Sequence, residues 1–278
     1  MLLIKNTASK LLSFSFLSTL VSLSFLSPTA HAIPINVNVE LALVIDVSGS
    51  VDQDEYLLQR NGYVNAFKSS AVQNAITSME SEGGVAVAVW FFDDTATQKI
   101  DWVQLTSQAS INDFAAELFN ISDDTYGGTN IAAGMTEAIT SIESNNYFGA
   151  RKIIDVSGDG KQNRNLNGNP GTCTNNNYDS EVCKDVVKTA RDLASLNLIT
   201  VNGLAIEDTF PSLDDYFISN VMTDDGFVLD ATFLSFENAI QKKLLREITN
   251  EVPAPATILL MVVGILGITL SKKFRFNS

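Results

Sequence analysis

Leu41-Ala42-Leu43-Val44-Ile45-Asp46-Val47-Ser48-Gly49-Ser50 sets five apolar residues directly before a carboxylate and two hydroxyls. An uninterrupted apolar run of this length is long enough for a strand buried on both faces and too short for a buried helix. The polar residues behind it then fall in the loop at the strand's carboxyl end. Further out, residues 85–92, 152–156 and 199–206 read as similar strands, 100–103 as an edge strand and 227–229 as a short last one. Helical spacing fills the gaps. Asp52 and Glu55 form an N-cap pattern ahead of the stripe Tyr56, Leu57, Tyr63, Val64 and Phe67. Ile131, Met135, Ile139 and Ile142 repeat that spacing, as do Val186, Val187, Ala190, Leu193 and Ala194, and then Ala239, Ile240, Leu244 and Ile248. Strands alternating with helices predict an α/β fold: a doubly wound, mostly parallel sheet with helices on both faces.

Both ends of the chain read differently from its middle. Lys5 and Lys10 precede a Leu-, Phe-, Ser- and Val-rich run at 11–26, and Ala30-His31-Ala32 supplies a small-x-small cleavage pattern. Residues 1–32 are therefore expected to be a signal peptide. At the other end, residues 256–270 are apolar apart from Thr257 and Thr269, with Lys272, Lys273 and Arg275 following. This segment is slightly short of the roughly 20 residues that span a bilayer untilted. Between the ends lie 33–250, enough for one sizeable domain. Five of the 18 Lys and Arg sit in the two ends, so residues 33–252 hold 13 bases against 32 acids, about −19 formally. Such a surface repels nucleic acid and favours cations.

The only histidine, His31, lies in the leader. A mature chain without histidine has no Ser-His-Asp or Cys-His catalysis and no His-ligated zinc. Cys173 and Cys183, ten apart in an exported chain, are expected to form a disulfide worth about 2–3 kcal/mol.

Three loops carry oxygen donors next to the predicted elements. Asp46-Val47-Ser48-Gly49-Ser50 follows the first strand, Gly127-Gly128-Thr129-Asn130 opens a helix, and Ser157-Gly158-Asp159-Gly160 follows the strand at 152–156. Loops at the carboxyl ends of strands meet at the switch point of a doubly wound sheet. Hydroxyls and carboxylates are hard donors suited to Mg²⁺, Mn²⁺ or Ca²⁺. Competing enzyme motifs fail on particular residues. A dehalogenase-type phosphatase needs a second Asp where Ser48 stands, and no Gly-x-Ser-x-Gly elbow surrounds Ser48 or Ser157. A metal-assisted hydrolase would draw its base from Asp93, Asp94, Asp123 or Asp124, which read as loop caps.

The ordered set Asp-x-Ser-x-Ser, Gly-Gly-Thr-Asn and Gly-Asp-Gly resembles the metal-ion-dependent adhesion site of von Willebrand factor A (VWA) domains, over roughly residues 38–250. The resemblance implies a VWA, Rossmann-like fold with Ser48, Ser50 and Thr129 as hydroxyl ligands and Asp46 and Asp159 as carboxylates. Gly158 departs from it, standing where the family often has Thr. It also implies a non-enzymatic binding module whose divalent cation, Mg²⁺ first, accepts an Asp or Glu from a protein partner. A surface metal-dependent hydrolase and a matrix protein with a purely structural metal are the alternatives. The tail at 251–278, with Pro253-Ala254-Pro255 before the apolar run and basic end, resembles a PEP-CTERM sorting signal, with Ala254 where Glu is commonest. That resemblance implies an exosortase-type processing enzyme and a Gram-negative cell. The protein would be transiently anchored in the inner membrane through this segment alone, then surface-associated or extracellular. A plain tail anchor is the other reading.

The Asn- and Gly-rich stretch between 161 and 183 is the last feature. Asn163, Asn165, Asn167 and Asn169 alternate before Pro170-Gly171 turns the chain, a composition that cannot bury much surface. It is expected to be a mobile lid and ligand loop beside the metal, so that swapping 163–169 for a Gly-Ser linker would leave metal affinity unchanged.

Overall fold

The computed structural model describes residues 33–122, 126–169, 171–174, 176–207 and 210–250. The leader at 1–32, the tail at 251–278, Asp123, Asp124 and Pro170 lie outside the described residues. Six strands form one sheet: β1 (Ile35–Asp46), β2 (Val85–Phe92), β3 (Ala96–Leu105), β4 (Tyr147–Gly158), β5 (Ile199–Ile206) and β6 (Val228–Ala231). Their order is β3-β2-β1-β4-β5-β6, parallel throughout except for β3, which pairs antiparallel with β2 at the edge. Order therefore reverses between β1 and β4, and the loops leaving those two strands share one crevice.

Helices cover both faces. On one side lie α1 (Gln53–Lys68), α2 (Ser70–Thr77), α3 (Gln108–Phe119) and α7 (Phe236–Thr249). On the other lie α4 (Ile131–Ser144), α5 (Glu181–Leu196) and α6 (Leu213–Asn220). β1 serves both cores by alternation: Val39, Leu41, Leu43 and Ile45 pack under α1 and α7, while Ala42 and Val44 pack under α4. The apolar run at 41–45 thus marks only the doubly buried half of a twelve-residue strand. The Asp52 carboxylate accepts from Glu55 N and the Glu55 carboxylate accepts from Asp52 N, both at 2.9 Å. This reciprocal cap contributes about 1 kcal/mol and fixes where the chain leaves the first oxygen-bearing loop.

The α1/α7 core has one charged inclusion. Lys243 Nζ on α7 lies 2.6 Å from Asp155 Oδ1 on β4 and 2.6 Å from Glu247 Oε1 one turn on, with none of the three side chains exposed. The contact with Glu247 is a directed hydrogen bond. That with Asp155 is an ion pair by distance only, and both Asp155 oxygens lack a hydrogen-bond donor. Asn202 Nδ2 on β5 donates to Glu247 Oε1 at 3.0 Å. Burial, and then the Asp155 charge, push the Glu247 carboxyl up to about 8 against the pull of Lys243.

That shift has a sign. Between the ordinary carboxylate range and about pH 8, the folded protein keeps a proton on Glu247 that the unfolded chain releases. Stability from this group is therefore greatest below the unfolded pKa and falls as pH rises towards 8. In chelator, melting temperature is expected to drop from pH 5 to pH 8, and Glu247→Gln to flatten the slope. Equal slopes in the two proteins would show that Glu247 titrates normally.

Candidate metal centre

Asp46 ends β1, and its carboxylate turns back on its own loop. Ser48 N donates to Asp46 Oδ1 at 2.9 Å, while Asp46 Oδ2 is buried with no hydrogen-bond partner. Gln59 on α1 holds the strand end from beneath, with Nε2 donating to the Asp46 carbonyl at 2.9 Å. Ser48 Oγ then lies 3.3 Å from Ser50 Oγ and 3.1 Å from Thr129 Oγ1. Ser50 Oγ donates to Asp159 Oδ1 at 2.8 Å. The structure therefore brings Asp46, Ser48, Ser50, Thr129 and Asp159 into one cluster. Asp46, Ser48, Thr129 and Asp159 are buried, and Ser50 is exposed at the mouth.

Two glycines are required by close approach. A Cβ on Gly158 would sit 2.8 Å from Asp46 Oδ2, and one on Gly160 would sit 2.9 Å from Thr129 Oγ1. Side chains there would press on the oxygens that face the cluster. Gly158, the departure from the family pattern, thus keeps open the space beside the unpartnered oxygen.

The electrostatics follow. Burial, and then repulsion from Asp159, hold the Asp46 carboxyl well above the usual carboxylate range. Without a cation the site is strained by its own charge. Among the described residues, no group of three or more His, Cys, Asp or Glu side chains is placed to hold a metal. The donor set here is two carboxylates and three hydroxyls, which suits a hard cation.

The Asn-rich loop turns out to be scaffold at its start. Asn163 Oδ1 accepts from Thr129 N at 2.8 Å, Asn163 N donates to Thr129 O at 2.9 Å, and Asn163 Nδ2 lies 3.4 Å from Thr129 Oγ1. Buried Gln162 bonds Asn130 Oδ1 at 2.7 Å and Ala132 N at 3.1 Å. Asn130 Nδ2 donates to the Asn165 carbonyl at 3.1 Å, and Asn165 N to the Asn169 carbonyl at 2.8 Å. Only Asn167 and Asn169 are exposed, while Asn163 and Asn165 are half-buried. At the far end Cys173 and Cys183, both buried, form a disulfide that ties the loop to the first turn of α5.

These bonds argue against the expectation that a Gly-Ser swap of 163–169 spares metal affinity, because Asn163 holds the candidate ligand Thr129. Asn163→Ala is expected to weaken Mg²⁺ binding by about 10-fold, as loss of an outer-shell partner does. Unchanged affinity in calorimetry would show that Thr129 holds its place alone.

Gln59 and Arg164 escaped the sequence reading, and Asp94, read there as a loop cap, joins them in the scaffold. Asp94 Oδ1 accepts from Gly128 N at 2.7 Å and from Arg164 Nε at 2.5 Å, joining the loops of β2, α4 and β4. Gln59 also accepts from Ser157 Oγ at 3.3 Å. A buried Gln on an apolar helix face was the one available signal.

Comparison with known proteins places the architecture. A family model described as "Protein of unknown function (DUF1194)" matches residues 36–252. No curated protein matches the sequence. Among solved structures, the D319A mutant of the PilB minor pilin from Streptococcus sanguinis is similar at 16% identity and TM-score 0.57, over 82% of this chain and 65% of that one. Proximal thread matrix protein 1 from the mussel byssus is similar at 15% identity and TM-score 0.52, over 78% of this chain. The chain spans about half of that protein, 47% of its length. The vWF domain of the type V pili tip protein Mfa5 from Porphyromonas gingivalis matches at 12% identity and TM-score 0.52, over 77% of this chain and 96% of that domain. The fold is VWA-like.

Proposed function

This chain belongs to the DUF1194 family, and we propose that it is a divalent-metal-dependent adhesion module of the cell surface. The observation that carries this reading is the buried, unpartnered Asp46 Oδ2 in a cluster with four other oxygen-bearing side chains. An unsatisfied buried carboxylate oxygen is costly unless something completes it. Ser48, Ser50, Thr129, Asp46 and Asp159 would hold the cation, directly or through water. Two carboxylates and three hydroxyls suit a hard cation, Mg²⁺ first, and Mn²⁺ or Ca²⁺ could take the same oxygens. When bound, the cation supplies a hard Lewis-acid position for a partner's Asp or Glu.

The chain's own residues do the rest. Asn163 fixes Thr129, Gln59 fixes the end of β1, and exposed Ser50 marks the side from which a partner enters. Asp94, one of the acids a hydrolase could use, is engaged by Gly128 N and Arg164, which suits a structural role better than a base. Two of the similar structures are pilus proteins and one is a thread matrix protein, which supports adhesion over catalysis. Export through the leader and exosortase-type processing of the tail complete the proposal.

The test is immobilised domain against peptides bearing one exposed Asp or Glu, with Asn and Gln counterparts, in Mg²⁺ and in chelator. Binding that needs both the acid and the metal is expected. Acid-independent binding would overturn the coordination model, and metal uptake without any acid binding would leave the metal structural.

A further inference from the structure

The strands start at the end of the domain opposite the metal centre, and β1 alone puts about 36 Å between Ile35 and Asp46. That far end is apolar in an unusual way. The turn from α5 to β5 exposes Leu196 at 80% and Leu198 at 86%. Phe148 and Ile35, on adjacent strands that begin in register, are also exposed.

Leu198 is the informative residue. Its φ is +58°, a left-handed conformation that strains a leucine and suits Gly or Asn. Where α7 ends in the same conformation, at φ +57°, the chain uses Asn250. The α5 turn is fixed by Asn197 N to the Leu193 and Ala194 carbonyls and Leu198 N to the Ser195 carbonyl, so the leucine is held outward. Backbone strain and solvent exposure both oppose leucine here, and neither core gains from it.

Bases lie next to it. A cavity of about 380 Å³ is lined by Leu198, Arg151, Lys152 and Arg246, with Asp225 and Glu247 the acids on its wall. Lys152 is paired with Glu143, and Arg151 caps the end of α7 through the Glu247 and Ile248 carbonyls. Three bases against Asp225 and Glu247 make this wall close to balanced on a chain with a large acidic excess. Asn250 ends α7 at the same cavity, and the apolar run at 256–270 begins six residues later in the sequence.

We propose that this end is a lipid-docking surface, in which Leu196 and Leu198 enter the headgroup layer of the membrane that holds the tail. Phe148 stands further out at the same end of the sheet, Arg246 on the cavity beside Leu198 is the base left to meet a lipid phosphate, and the metal centre is turned away. The proposal rests on the membrane reading of 256–270. Exposed apolar tips without a surplus of acid beside them suit an interfacial surface, and a tether that starts at this face keeps it against the bilayer.

The test uses the full chain with its tail, reconstituted in phosphatidylethanolamine–phosphatidylglycerol vesicles containing brominated lipid. Single fluorophores are attached at Leu198→Cys, Phe148→Cys and, at the metal end, Leu166→Cys. Quenching of about twofold or more is expected at 198 and 148, and little at 166. Leu196→Ser with Leu198→Asn should reduce quenching at 148 without lowering the melting temperature, since Asn suits the turn. Chain that floats with vesicles but shows no quenching at 198 overturns docking while leaving the tail reading intact. Failure to float overturns both. Shielding at 198 that depends on protein concentration and persists without lipid overturns it in favour of a second copy.

Discussion

Asp159→Ala and Thr129→Ala are each expected to lower Mg²⁺ affinity by more than roughly 100-fold in calorimetry, beyond what outer-shell partners typically contribute. Asp159 closes the ring through Ser50, and Thr129 sits 3.1 Å from Ser48 with its backbone clamped by Asn163. Either change opens the ring without touching the cores. Asp46→Asn unloads the site as well, but its effect on the metal-free protein has the opposite sign. Asp46 is buried, has an oxygen with no partner and is repelled by Asp159. Removing its charge relieves that repulsion, so melting temperature in chelator rises by about 2–4 °C for each kcal/mol recovered. In saturating Mg²⁺ the ranking reverses, because the wild type alone gains binding free energy. Wild-type affinity in both Asp159→Ala and Thr129→Ala would rule out this site.

The sequence made the strands legible where burial is two-sided, and less so elsewhere. Residues 85–92 and 199–206 read correctly because both faces of β2 and β5 are covered. The first half of β1 and the start of β4 were missed, since one face there meets solvent and short alternation competes with coil. Among the helices, α2, α3 and α6 carried too few apolar repeats to stand out in eight to twelve residues. The five oxygen-bearing residues were legible because each follows a strand or opens a helix, and the switch point makes their loops converge. What escaped was the scaffold around them. Asp94 and Arg164 lie 70 residues apart and pair only because two loops cross. The Asn-rich run looked mobile by composition, yet Asn side chains can replace missing backbone partners, and Asn163 does that for Thr129.

The charged cluster beneath α7 could not be read at all. Lys243 lies in a helical stretch with Lys242 and Arg246 close by, and nothing in its spacing separates it from a solvated base. Its burial makes Lys243→Met the most damaging single change expected here. Among the described residues Lys243 is the cation paired with both carboxyls; without it Asp155 is left unsolvated and without its ion-pair partner, beside a Glu247 that holds its proton up to about pH 8. Breaking a buried pair in this way typically costs about 3–5 kcal/mol. In a domain of this size that is a fall of about 10 °C or more in melting temperature. The loss comes from stranded charge, not from lost packing, because Met fills nearly the same volume. Adding Asp155→Asn and Glu247→Gln to Lys243→Met is therefore expected to recover most of the loss, with Asn202 still able to bond the residue at 247. A Lys243→Met protein that melts within about 2 °C of wild type at pH 8 would mean that water reaches the cluster and screens it.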